Sequence, residues 1–502
     1  MQEDVRQPPF ADNDDSDSER LHALGYGQVL ARRLRAFSNF ALSLSIICIL
    51  AGGITSFHLG LCSVGGASIG LGWPLVGLFA LAVAATMGQL ASTFPTAGGL
   101  YHWAAILGGR GWGWTTAWFN LAGLITVLAA INVGTYRFAM NGLFAGALSP
   151  SVDFMIQTLV IGLITLSQAA INHIGIGITA KLTDFSGYWI LFVAAVLTVC
   201  ILAFAPVLEP ARLVTIENFS GTAGGYVWPA TDSFVLLFAL GALLPAYTIT
   251  GFDASAHAAE ETIDAAKSVP RAIVRSVLVS AIAGWILLGV VVIAAPSLSA
   301  AAAQGEGAFL SILNGVLPRA LVVGLVVAIV LAQYLCGLAT VTSASRMAFA
   351  FARDGGLPFA DAIAWVCPRR RSPSVAIWTV SLASILFTIH TPVYATITAV
   401  CTIFLYLSYV LPTALGAWAY GRSWTAMGPW DLGRLYRPLA VFSVIGCLLL
   451  IIIGMQPPND RSVWVVGTMS LALFIGWFGV ARYRFPGPPQ AAINAENKAN
   501  GR

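Results

Sequence analysis

Charge is what this chain most conspicuously lacks. Only 10% of its 502 residues are Asp, Glu, Lys or Arg, against roughly 25% in a typical soluble domain. So few charges cannot cover the wet surface of a globule this long, which excludes an ordinary water-soluble protein. A net charge of +4 gives no footing for a nucleic-acid partner. Catalytic patterns are missing too. The six histidines are scattered and none opens an HExxH pair, so no zinc hydrolase is indicated. The seven cysteines, Cys48, Cys62, Cys200, Cys336, Cys367, Cys401 and Cys447, form no CxxC pair and fall mostly in apolar runs. They read as small buried hydrophobes rather than a disulfide framework or metal site, and neither metal nor cofactor is expected. A secretory signal, which would open with a basic stretch and a short apolar core, is not evident. Residues 1–36 read instead as a polar tail with an acidic run, Asp12, Asp14, Asp15, Asp17 and Glu19.

What is present is apolar: 58% of the chain. A bilayer core takes about 20 apolar residues as a helix. That ruler places spans near 38–64, 73–92, 114–142, 154–172, 185–207, 232–264, 272–295, 318–353, 374–390, 394–420, 437–455 and 462–481. The runs do not alternate as barrel strands would. The expectation is an all-α integral membrane protein with twelve transmembrane helices. Spans one, six and eight are too long for plain perpendicular crossings. All but four of the 26 Lys and Arg fall on one side of these spans, the exceptions being Arg137, Arg212, Arg319 and Arg461. The basic side is expected to be cytoplasmic and holds both termini. Leu21, Leu24, Leu30 and Leu34 recur beside Arg32, Arg33 and Arg35. Residues 18–35 are therefore either an amphipathic surface helix or a charged lead-in to the first span. Residues before 18 and after about 485, within a C-terminal tail at 483–502, read as disordered.

Two spans carry helix-breaking sequence at corresponding places. In the first, Ala51-Gly52-Gly53-Ile54-Thr55-Ser56 interrupts the apolar run; in the sixth, Thr248-Ile249-Thr250-Gly251-Phe252-Asp253 does. Unwound backbone in hydrocarbon is costly unless its N–H and C=O groups find partners. Paired interrupted helices in two halves of a chain point to a transport site, where freed N–H groups receive a carboxylate and freed carbonyls an ammonium or Na⁺. Close packing at the glycines is the competing explanation.

These residues resemble the amino acid–polyamine–organocation transporters, in the amino acid/choline branch that includes GABA and choline permeases. The likeness runs from Glu19 to Pro438. It rests on Leu24-Gly25-Tyr26, Gly53-Ile54-Thr55, the run Phe94-Pro95-Thr96-Ala97-Gly98-Gly99-Leu100-Tyr101, Trp118-Phe119-Asn120, the segment from Thr250 to Thr262, Val269-Pro270-Arg271, Ser345-Arg346, and Ala352-Arg353-Asp354-Gly355-Gly356-Leu357-Pro358. It implies a LeuT-type fold of two inverted five-helix repeats, 37–207 and 232–420, followed by two helices at 437–482. It implies a substrate site where Gly52, Gly53, Ile54 and Thr55 meet a carboxylate, and Thr250, Gly251 and Phe252 an amino group, with Phe252 as a lid.

Ionisable groups at membrane depth are functional candidates. Asp253 either faces substrate or caps the helix after the break. Glu260 and Glu261 either latch an inner gate against Arg346 or Arg353 or are solvated carboxylates. His58 either relays protons or lines an outer vestibule. His173 and His257 fall near loops and carry no assigned role. The coupling ion, H⁺ or Na⁺, stays open. The Lys that some proton-coupled relatives place in helix five is missing from Phe185-Ser186-Gly187-Tyr188-Trp189-Ile190. Thr342 and Ser343 either ligate Na⁺ or only pack. The expected function is secondary-active transport of an amino acid or GABA-like amine by alternating access, in the plasma membrane. The partners are that small substrate and the lipid bilayer, with no obligate protein partner. Choline or a polyamine is the alternative cargo; a membrane enzyme or a channel is more remote.

Overall fold

The computed structural model describes residues 15–144, 149–391 and 394–489. Its helices are α1 (Asp15–Ala23), α2 (Ala36–Ile47), α3 (Phe57–Val64), α4 (Trp73–Thr93), α5 (Leu100–Gly108), α6 (Arg110–Leu143), α7 (Pro150–Ile174), α8 (Ile176–Phe204), α9 (Phe234–Gly241), α10 (Leu243–Thr248), α11 (Ala254–His257), α12 (Ala265–Ala294), α13 (Leu298–Ala302), α14 (Ala308–Val316), α15 (Arg319–Arg353), α16 (Ala360–Ile363), α17 (Ser374–His390), α18 (Tyr394–Ala419), α19 (Tyr436–Gly454) and α20 (Arg461–Gly476). Strand pairing among the described residues is limited to two isolated bridges. Among the described residues, ten helical runs are long and apolar enough to cross a membrane, and Phe234–Thr248 and Ser374–His390 are shorter apolar helices. The chain is an all-helical integral membrane protein.

In the centre, α15 and α18 both pack along α6, while α12 packs along α4 and α2. Helices α7, α8, α19 and α20 form the periphery and turn Met155, Leu163, Phe192, Leu449 and Phe474 outward. In water such a surface would drive association; against lipid tails, which are as apolar as leucine, it is at rest. The overlong eighth span is one unbroken helix of 35 residues, α15. At 1.5 Å per residue it is ~52 Å long, well beyond a ~30 Å hydrocarbon core, so its ends project into more polar surroundings.

The first and sixth spans break. In the sixth, α10 ends at Thr248 and α11 starts at Ala254, with Gly251 at φ +82° between them, where the Thr250–Asp253 interruption was expected. In the first, the break falls at Cys48 (φ 17°, ψ 89°), and Gly52 and Gly53 lie in a π turn, Ile49–Gly53. The unwinding expected at Gly52–Thr55 is therefore displaced toward the start of the span. The reason lies on α15: Cys336 Sγ stands 3.4 Å from Ile46 O, and Gln333 Nε2 donates to Leu50 O (3.1 Å). Those side chains satisfy carbonyls that an intact helix would have used.

The amphipathic helix considered for 18–35 is also corrected. Helix α1 ends at Ala23, Gly25 takes φ +85°, and residues 24–35 run as a non-helical strap. Leu21, Leu30 and Leu34 are buried in protein, not laid on lipid. An extended backbone lets Arg33 and Leu34 N–H both donate to Glu261 O (2.9 and 2.8 Å) and lets Leu34 O accept from Ile263 N–H (2.9 Å). Asp17, placed in the expected disordered end, is helical and buried, and it accepts from Asp264 N–H (2.6 Å) at the start of α12. Most of both expected disordered ends, including Arg6, Asp12, Asp14, Lys498 and Arg502, lies outside the described residues.

Candidate functional site

The two breaks meet in the middle of the bundle. Between them lies a small pocket, lined by Ala51 and Gly52 beside the first break, Thr248 and Thr250 at the second, and Tyr247, Val127 and Ile131 among others. A Cβ on Gly52 would stand 2.9 Å from Thr248 Cα, so glycine is what lets the two segments touch. Among the described residues no charged side chain lines the pocket. Its polarity comes from threonine and tyrosine hydroxyls and from backbone dipoles.

The other residues expected at this site are distributed around it. A Cβ on Gly53 would face Leu288 and Trp73, a packing position. Ile54 and Thr55 line a second small pocket with Arg137, Glu306 and Tyr394. There Arg137 Nη1 donates to Glu306 Oε2 (3.1 Å), and Tyr394 OH donates to Thr55 Oγ1 (2.9 Å). In this conformation Gly52 N–H bonds to Cys48 O (3.0 Å) and Ile54 N–H to Ala51 O. Two of the N–H groups expected to meet a carboxylate are thus already engaged. Phe252 is fully buried against Tyr409 (ring centroids 5.1 Å) and its carbonyl accepts from Ser43 Oγ (2.8 Å), so here it is no lid.

Asp253 is the residue before α11 yet makes no side-chain cap bond. Its Oδ1 accepts from Tyr409 OH (2.8 Å); its Oδ2 accepts from Asn120 Nδ2 (2.9 Å) and faces His257 Nε2 (3.2 Å). Tyr409 OH in turn accepts the Gly251 N–H (3.0 Å) that the break leaves without a helical partner. One tyrosine therefore ties the strained backbone of the break to the buried carboxylate.

Toward the end of the bundle opposite Arg137, the four candidate gate residues come together in pairs. Arg346 Nε and Nη2 donate to Glu261 (2.8 and 3.1 Å), and Arg353 Nη1 and Nη2 donate to Glu260 (3.0 and 2.9 Å). Such two-point pairs fix geometry as well as charge. Glu260 Oε1 also accepts Ala97 N–H (3.0 Å). The strap lies over this cluster: the Arg353 guanidinium stacks 3.9 Å over the Tyr26 ring, and Tyr26 OH donates to Asp354 Oδ2 (2.8 Å). Burial, with Asp354 beside it, pushes the Tyr26 phenol well up, so it keeps its proton and remains a donor. Thr342 donates to Asn172 Oδ1 (2.7 Å), while Ser343 Oγ is buried with no hydrogen-bond partner among the described residues.

Sequence reasoning missed Tyr409, Asn120, His257, Ser43 and Gln333. Asn120 stands in a quoted motif, Trp118-Phe119-Asn120, and His257 follows Asp253 by one helical turn, so both had a visible signal. Tyr409 and Gln333 come from distant helices and had none.

Comparison with known proteins agrees with this geometry. The profile of the family described as amino acid permease matches residues 34–480. An Arabidopsis thaliana protein named amino-acid permease BAT1 is 33% identical, over 94% of this chain and 96% of its own. Its rice homologue is 30% identical over the same shares. The GABA-specific permease of Saccharomyces cerevisiae is 26% identical over 92% of this chain and 82% of its own length.

Proposed function

The chain belongs to the amino acid permease family, a family of membrane transporters rather than enzymes, and from that premise we propose that it carries an amino acid or a GABA-like amine by alternating access around the cavity between its two helix breaks. The observation that carries the proposal is the close approach of Gly52, in the π turn after the first break, to Thr248, the last residue before the second, beside a pocket where hydroxyls and backbone sit among Ile46, Ile47, Val127 and Ile131. A zwitterion suits such a lining, because backbone dipoles can face each of its charges without a fixed counter-ion. A polyamine would want several inward carboxylates, and Asp253 is turned to Tyr409, Asn120 and His257 instead. Choline would want an aromatic cage, and among the described residues Tyr247 is the one aromatic side chain at the pocket.

The two breaks are read as counterparts in two inverted five-helix repeats, 37–207 and 232–420, followed by 437–482, with twelve crossings in all. The packing of α6 against α15, with Phe351 near the end of α15 against Trp118 in the first part of α6, supports the reading. Glu260–Arg353 and Glu261–Arg346 are the inner latch, closed in this conformation. Arg137 and Glu306 guard the outer mouth. The positive-inside bias puts the latch and both termini in the cytoplasm of a plasma-membrane protein. Na⁺ coupling through Thr342 finds little support, since that hydroxyl is given to Asn172.

Uptake into proteoliposomes tests the proposal. Purified protein should take up at least one radiolabelled amino acid or GABA saturably. Complete indifference to amino acids, GABA, choline and polyamines would overturn it.

A further inference from the structure

Asp253 and His257 form a fully buried pair whose hydrogen bonds count its protons. Both side chains are 0% exposed. His257 Nδ1 stands 3.1 Å from the carbonyl oxygen of Ala97. A carbonyl can only accept, so Nδ1 carries a hydrogen. The other ring nitrogen, Nε2, faces Asp253 Oδ2 at 3.2 Å. Two arrangements satisfy that contact without undoing the first: an imidazolium beside a carboxylate, or a bare Nε2 accepting from a carboxylic acid. Each holds one proton more than a carboxylate with a neutral imidazole would. Without that proton the pair is a buried net negative charge, which is expensive unless a cation answers it.

Among the described residues no such cation faces it. From α18 comes Tyr409 OH and from α6 Asn120 Nδ2, both neutral donors to Asp253; Ser408 Oγ also bonds Asn120 (3.2 Å). From the 94–99 segment comes only the Ala97 carbonyl. On α2, Ser43 and Asn39 bond the backbone around Ser255. Further along the same segment, Glu260 and Glu261 are each already matched by Arg353 and Arg346.

We propose that the Asp253–His257 pair is the binding site for a co-transported proton. The site stands between the two moving parts. On one side, Tyr409 connects Asp253 to Gly251 N–H in the break beside the cavity. On the other, the Ala97 peptide faces both ways: its carbonyl accepts from His257 and its N–H donates to Glu260 of the latch. Opening the latch displaces Ala97, and His257 loses the acceptor that fixes its proton. The proton then leaves to the cytoplasmic side with the substrate. The inference rests on the transport reading above.

Two measurements test it. An inward proton gradient of about one pH unit, coupled one proton to one substrate, sustains about tenfold accumulation. Wild-type proteoliposomes given a radiolabelled mixture of amino acids and GABA should approach that ratio without Na⁺, and His257→Gln should fall to about one while exchange of labelled for unlabelled substrate persists. Accumulation by His257→Gln equal to wild type overturns the proposal, as does wild-type accumulation driven only by Na⁺. The second measurement needs no transport: nitrogen-15 spectra of histidine-labelled protein, with the His257 signals assigned by their loss in His257→Gln. A protonated Nδ1, with Nε2 protonated or accepting from a carboxylic acid, supports the site. A neutral ring with Nδ1 bare and the hydrogen on Nε2 overturns it. If wild-type protein moves none of the probes, the transport reading fails, and the spectra still decide whether the pair holds a proton.

Discussion

Removing the guanidinium of Arg346 should open the latch. Arg346 and Glu261 are both 0% exposed and bonded at two points. Arg346→Met keeps the length of the side chain and strands the Glu261 carboxylate in protein. Breaking a buried pair from one side costs about 3–5 kcal/mol. Water can reach Glu261 only when the latch is open, so the penalty falls on the closed state. The closed-to-open ratio should drop by about two to four orders of magnitude. Adding Glu261→Gln removes the stranded charge, and the double variant should recover most of the closed population, since an ion pair replaced on both sides is often neutral for stability. Hydrogen exchange reads this out directly. The amides of 259–264 should lose protection in Arg346→Met and regain it in the double variant. Unchanged protection in the single variant, or none regained in the double, would show that the pair does not hold the latch.

Gly251→Ala should lower stability by about 2–5 kcal/mol, because a left-handed alanine is strained and the core is overfilled: φ is +82° and the new Cβ would stand 2.4 Å from Ile46 Cγ2. Thermal denaturation in detergent checks it. Tyr409→Phe leaves Gly251 N–H and one Asp253 lone pair without a partner, at about 1–3 kcal/mol for each buried orphan; both the melting temperature and the uptake rate should fall. Asp17→Ala removes the partner of Arg32 (2.9 Å) and the acceptor for Asp264 and Ala265 N–H at the start of α12. The loss of the cap costs about 1 kcal/mol, and hydrogen exchange in 24–35 should quicken while the melting temperature of the bundle barely moves.

Much of this architecture is written locally. Runs of about 20 apolar residues fix where helices lie, and the Gly251 break follows from glycine beside hydroxyls and Asp253. A latch of Glu260 and Glu261 against Arg346 and Arg353 is legible only as one of two readings, because carboxylates at a membrane boundary can equally be solvated; burial decides for the pairs. What escaped was set by partners distant in sequence. Nothing in Ile46–Gly53 says that the break falls at Cys48; Cys336 and Gln333 on α15 decide that by accommodating Ile46 and Leu50 carbonyls. The leucine spacing of 18–35 suggests a helix, but Gly25 and Gly27 interrupt it and Glu261 O offers the extended backbone a better partner. His257 lies on α11, a helix of one turn that sequence periodicity does not reveal, although its four-residue offset from Asp253 is visible in the sequence.

That substrate passes between the two breaks is tested most directly by uptake with Gly52→Val beside wild type. Valine at this position would collide with Thr248, whose Cα lies 2.9 Å from the position of a Cβ, and would fill the cavity from one side without touching a charge. Wild-type proteoliposomes should show saturable uptake of an amino acid or GABA, and Gly52→Val, purified as a monodisperse and folded protein, should show none. Uptake by the folded variant at the wild-type rate would contradict a path between the breaks.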